Sequence, residues 1–226
     1  MIPELAARGF RAMSFDLPGL GLADRPVDFD FTFAGLGRFA EAAVDALGLE
    51  RFHLVVHDAG GPVGFELAAS APERVRSLTI LNTVVTMDAV PFPMEVYAGL
   101  AVRRGWAALP PPRVSRALIY AIGISDQSAV PPVEIDAYRD LVVRVDGGAA
   151  YLEIMRNLRR GARDHRAVVD SRSAPYPVQV IWGAKDPILP LRRHGWKAMI
   201  AAGVPSIHTP PPSTSCKRIT PPSSAS

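Results

Sequence analysis

The hydrophobic positions of this chain change period several times, and each change marks an element. From Phe31 to Leu47 the apolar residues Phe33, Leu36, Phe39, Ala40, Ala43, Val44 and Leu47 recur three and four apart, which predicts a helix stopped by Gly48. Phe52 to Val56 is instead an apolar run broken only by His53, the mark of a buried strand, and it ends abruptly at His57-Asp58-Ala59-Gly60-Gly61. Helical spacing then returns with Val63, Phe65, Leu67 and Ala68. Around this strand, turn and helix, residues 4–8 close a helix at Gly9, and residues 10–15 and 75–81 read as strands, the latter ending at Asn82-Thr83. Residues 87–173 are helical and broken by proline, with pieces near 94–105, 113–123, 132–145 and 147–160. Residues 175–182 return to a strand, a helix covers about 192–202, and residues 203–209 begin a last strand.

Alternation of strands and helices predicts the α/β class, a mostly parallel sheet with helices on its faces. A helical block between two strands of one sheet predicts an inserted cap over the carboxyl-end cleft, where such sheets bind ligands. The rings of Tyr97, Trp106, Tyr120, Tyr138 and Tyr151 fall in that block, where packing is their ordinary role. The expected division is 1–86 core, 87–173 cap, 174–208 core and 209–226 tail.

The turn carries the candidate chemistry. A helix doubling back across its strand needs small residues after the tip, and Ala59-Gly60-Gly61 supplies them. Asp58 is then displayed at the carboxyl end of the strand, with the Ala59 N–H aimed at the atom that gains charge. A carboxylate in this place is ionised at neutral pH and can attack saturated carbon without a base, giving an alkyl ester. The competing reading is that Asp58 caps the following helix.

Composition narrows the function. The chain has 226 residues, 48% of them apolar, enough for one domain with a real core. Its net charge is +3, but the basic residues are dispersed; Arg156, Arg159, Arg160, Arg163 and Arg166 are spaced as the solvated face of a helix, so no nucleic-acid partner is expected. A single Cys216 leaves no disulfide framework and no Cys pair for a metal. The start has no signal-peptide pattern and no window is apolar enough to span a membrane, so the expectation is a cytoplasmic protein with no membrane partner. Its oligomeric state is open.

Four segments resemble the α/β-hydrolase superfamily, and within it the epoxide hydrolase and haloalkane dehalogenase branch. They are F-D-L-P-G-L-G-L-A-D-R-P from Phe15, V-V-H-D-A-G-G-P from Val55, P-E-R-V-R-S-L-T-I-L-N-T from Pro72, and V-I-W-G-A-K-D-P from Val180, in the family's order. The resemblance implies an α/β-hydrolase fold with Asp58 as nucleophile and Asp186 as the acid that orients a catalytic His. It implies a small apolar electrophilic substrate, no cofactor and no metal. Where dehalogenases carry a Trp that holds the departing halide, this chain has Ala59, so epoxide opening is favoured over halide release. Epoxide opening uses cap tyrosines as acids, and Tyr120, Tyr138 and Tyr151 are the candidates; Ser-based esterase chemistry is disfavoured.

The chain also departs from the family at its ends. The family's first three strands and its His-Gly-x-Pro loop have no counterpart ahead of Met1, and the composition of 209–226 predicts disorder where the last strand, final helix and catalytic His would stand. None of His53, His57, His165, His194 and His208 matches the catalytic position. Allowed codons for Ser213 to Pro222, read one base upstream, give His-Phe-Leu-Gln-Glu-Asp-His-Ala-Pro, similar to the family's His-Phe-x-x-Glu segment, which implies an out-of-frame tail. The rivals to an epoxide hydrolase-like enzyme are therefore a haloalkane or haloacid dehalogenase and, from another class, an inactive fragment lacking its base.

Overall fold

A computed structural model of the chain describes residues 1–86, 111–124, 127–157, 165–209 and 217–219. Its centre is a sheet in the order β1 (Phe52–His57), β2 (Val75–Leu81), β3 (Val178–Ile181), β4 (Ile207–Thr209) and β5 (Lys217–Ile219). The first four strands are parallel, and β5 runs antiparallel to β4. Parallel neighbours need crossovers, and the first of these is helix α3 (Gly60–Ser70) between β1 and β2. Ahead of the sheet stand the short α1 (Ile2–Ala6) and α2 (Phe33–Ala46), whose first turn is capped by the Thr32 hydroxyl accepting the Gly35 N–H at 3.2 Å.

α3 has apolar residues on both flanks and joins two cores. Phe65 and Ala68 meet Leu78 and Ile80 of β2, Val180 of β3 and Trp182. Val63 and Leu67 instead meet Phe31, Leu36 and Val44 of the α2 region, together with Leu152 and Ile154. Gly37 of α2 lies against the Glu66 side chain, with no room for a Cβ, so the two helices approach closely.

Between β2 and β3 the chain forms helices Pro112–Gly123, Pro132–Val143, Ala149–Asn157 and Arg166–Val169. The expected piece at 94–105, with Tyr97, lies outside the described residues, as does Trp106. The buried Arg25 fastens the 17–25 loop to this stretch, donating from Nη2 to the Leu141 carbonyl at 2.6 Å and placing Nε 3.3 Å from Asp146. Arg144 answers by donating to the Leu22 carbonyl at 2.9 Å.

Two expectations fail. Residues 10–15 form no strand, because among the described residues β1 pairs with β2 alone and no strand offers the segment a ladder. Phe10 rests edge-on against His53, 6.0 Å between ring centres, and remains half exposed. In the tail, where composition predicted disorder, the backbone of Lys217–Ile219 pairs with Ile207–Thr209. The last helix also differs in detail: Leu191–Gly195 is a π turn, and the α-helix proper is Trp196–Ala202.

Candidate active site

β1 carries the chain to the carboxyl edge of the sheet, where Asp58 takes φ +47° and reverses it into α3. This left-handed conformation costs an ordinary L-residue about 1–2 kcal/mol, and such strain persists only where neighbours hold it. Three bonds hold it here. The Asp58 N–H donates to the Asn82 carbonyl at 3.0 Å, and the Asp58 carbonyl accepts the Gly61 N–H at 3.0 Å and the Thr83 hydroxyl at 2.5 Å. The residue immediately before α3 is Ala59, and no side chain caps the helix; the Asp58 carboxylate takes the Ala59 N–H instead. The helix-capping role is thus unfilled, and the carboxylate stands at an exposed tip.

Exposure of the tip does not leave the carboxyl in bulk-like solvent. Desolvation by the surrounding protein raises its pKa above the usual carboxylate value. His57 and the Ala59 N–H oppose that rise, and the negative charge of Asp186 adds to it. The two carboxylates that the sequence singled out therefore act on one another, although they lie on different strands' ends.

Asp186 is held differently. Its Oδ1 accepts the N–H groups of Ile188 and Leu189, each at 2.8 Å, and its Oδ2 accepts the Asn82 side-chain amide at 2.5 Å. The Asn82 Oδ1 accepts the Gly183 N–H at 2.8 Å, which fixes which end of that amide faces Asp186. A carboxylate offers about four acceptor positions, so three donors leave roughly one for a catalytic partner. Asn82 and Thr83 were legible only as the polar end of a buried strand, yet their main chain and side chains brace both carboxylates.

The tyrosines are less focused. Tyr120 donates its hydroxyl to the Val130 carbonyl at 2.6 Å, Tyr138 is 69% exposed, and Tyr151 packs on the α2 core. Among the histidines, His53 contacts Ser77 at 2.7 Å, His165 is buried against Glu66 at 3.1 Å, and His208 sits on β4 opposite Ile181. His57 ends β1 beside the nucleophile position, and half-buried His194 has a lowered pKa from burial and from Arg193 and Lys197, with Asp186 opposing. No described group of three or more His, Cys, Asp or Glu could hold a metal ion, and no described helix is long and apolar enough to cross a membrane.

The comparison with known proteins decides the fold family. A sequence profile of the alpha/beta hydrolase fold matches residues 1–119. The chain belongs to that family. Its curated relatives include a cis-3-alkyl-4-alkyloxetan-2-one decarboxylase from Shewanella oneidensis, 29% identical over 189 residues, covering 74% of this chain and 56% of that protein. A haloalkane dehalogenase from Psychrobacter cryohalolentis is 35% identical over 86 residues, 38% of this chain and 28% of the relative. The aligned part thus spans 56% or less of these α/β hydrolases. Among solved structures, a 2-hydroxy-6-oxo-6-phenylhexa-2,4-dienoate hydrolase from Rhodococcus superposes with TM-score 0.70 at 21% identity, covering 92% of this chain and 74% of the other. At that identity the likeness speaks for the fold, including the parallel four-strand sheet between helices.

Proposed function

We propose that this α/β hydrolase opens epoxides, or related small apolar electrophiles, by covalent attack of Asp58. The observation that carries the reading is a carboxylate, where a hydroxyl would serve an esterase, held at positive φ on the tip between β1 and α3. A carboxylate oxygen of Asp58 bonds to a ring carbon, the carbon–oxygen bond of the ring breaks, and the freed alkoxide takes a proton. Water then adds to the Asp58 carboxyl carbon, and the ester C–O bond breaks. The departing alkoxide takes one proton of that water and leaves as the diol, the other proton returns to solvent in place of the one taken up at ring opening, and the carboxylate is restored. In the family, the acid that Asp186 matches orients the His that takes a proton from that water. No His of the 226 residues matches the family's base, so the ester is expected to outlast its formation.

The oxetanone-directed relative supports a strained oxygen ring as the kind of electrophile, since ring strain favours C–O cleavage in either ring size. The dehalogenase relative supports a second reading, halide displacement by the same carboxylate. Ala59 weighs against it, because it offers a departing halide only a backbone N–H. The test is a single-turnover incubation with a small terminal epoxide, followed by peptide mass analysis. A mass increase of one epoxide on the peptide containing Asp58, absent from Asp58→Asn, is expected. Halide release from a 1-bromoalkane with no epoxide adduct selects the second reading, and modification elsewhere or nowhere overturns both.

A further inference from the structure

Thr83 is 99% shielded from solvent, and its hydroxyl sits 2.5 Å from the carbonyl oxygen of Asp58, 25 residues earlier. That oxygen already accepts the Gly61 N–H, as the turn into α3 requires. A second, buried donor on it is therefore not needed to satisfy the backbone. Space has been left for it all the same: a Cβ on Gly61 would overlap the Thr83 hydroxyl, so the glycine and the threonine are complementary.

The consequence follows from peptide geometry. The Asp58 carbonyl and the Ala59 N–H belong to one rigid planar unit, so fixing the oxygen fixes the direction of the N–H. That N–H is a donor on the Asp58 carboxylate, so on the ring-opening reading its direction sets how the attacking oxygen is presented, and it meets the charge that builds on the carboxyl when water adds to the ester. At φ +47° this plane gains little from the intrinsic preference of an aspartate; the Gly61 N–H holds the oxygen from within the turn, and the Thr83 hydroxyl holds it from the end of β2. We propose that Thr83 is a positioning residue that aims the Ala59 N–H at the reacting carboxylate by clamping the carbonyl at the other end of the same peptide plane. This rests on the ring-opening reading for its purpose, though not for the geometry it asserts.

The test compares Thr83→Val, which keeps the shape and removes the hydroxyl, with Thr83→Ser, which keeps the hydroxyl. Ester formation on Asp58 from a small terminal epoxide should fall about 10–100-fold in the valine variant, the loss that a misplaced attacking oxygen brings. In the serine variant it should stay within about threefold of wild type. The acid limb of the rate should also move to higher pH in Thr83→Val. The Ala59 N–H favours the ionised carboxylate, while the other charges acting on it, His57 and Asp186, are untouched. A uniform fall with no movement of the limb, or equal rates in the two variants, overturns the assignment.

A readout independent of chemistry separates this from the ring-opening reading. Amide hydrogen exchange at Ala59 and Gly61 should quicken about tenfold or more in Thr83→Val and not in Thr83→Ser; unchanged exchange in both refutes the clamp even if no epoxide ever reacts. If wild type forms no ester but the exchange behaves as stated, the function falls and the clamp stands. Should the valine variant not fold, Thr83→Cys, a weaker donor of similar size, is held to the same outcomes.

Discussion

β2 and β3 have neighbours on both sides, and Leu78, Ile80 and Val180 on them, with Trp182 directly after β3, are wholly buried. Among the described residues β1 pairs only with β2, and Val55 on it is 40% exposed. The proposed nucleophile stands at the end of the weaker strand, so its geometry must be borrowed. The lenders are Asn82 and Thr83, which follow β2, the strand with a partner on each side. The site is a loose strand tip tied to a firm strand end, and the contrast can be broken or sharpened by substitution.

The largest effect should come from the firm side. Trp182 is fully buried and donates its indole N–H to the Leu189 carbonyl at 2.8 Å, so Trp182→Ala loses packing and a buried bond together, about 3–5 kcal/mol. Val55→Ala, on the open side, should cost under about 1 kcal/mol. Denaturant midpoints of the two variants decide it, and equal losses would show that β1 is packed as tightly as the end of β3. Next comes the tie itself. Gly61→Ala drives a methyl group into Thr83 and should cost about 1–3 kcal/mol while slowing ester formation on Asp58. A variant as stable and as reactive as wild type would mean that the turn and the end of β2 are not in contact.

A smaller effect of opposite sign is expected at the tip. Asp58→Gly relieves a left-handed conformation worth about 1–2 kcal/mol and adds backbone freedom worth about 0.5–1 kcal/mol to the unfolded chain. The variant should be slightly more stable than wild type, by roughly 0.5 kcal/mol, with ester formation abolished. Loss of stability would mean that the side chain, through its bond to Ala59, contributes more than the strain removes.

The sequence made the firm region plain and the loose one misleading, for a physical reason. β1, β2 and the turn at Asp58 were legible because each rests on local signals, an apolar run followed by small residues, and these fall where expected. Residues 10–15 also carry apolar residues, Phe10, Ala12, Met13 and Phe15, yet they form no strand, because a strand is made by its partner and not by its own composition. The same division runs through the site. Asp58 and Asp186 could be picked from their motifs. Asn82 and Thr83 could not, since their bonds reach residues 104 and 25 positions away. The available signal was a polar pair closing a buried run, L-N-T at 81–83, which says that a strand ends and not what it ends against.

The finest test of the contrast asks how far the tip has left water. Desolvation raises the Asp58 carboxyl above its ordinary value of 3.8, so the folded chain keeps that proton to higher pH than the unfolded chain does. The sign follows from that difference. The contribution of Asp58 to stability is fully present below the ordinary carboxylate value and is lost as pH rises through the raised one. Asp58→Asn has no proton to lose there, so its stability relative to wild type should climb across that interval and level off above it. Urea midpoints of the two proteins between about pH 3 and pH 7 measure the difference. A difference independent of pH would mean that the carboxylate is as well solvated as any surface aspartate, and that the end of β1 is open to water as fully as its free edge.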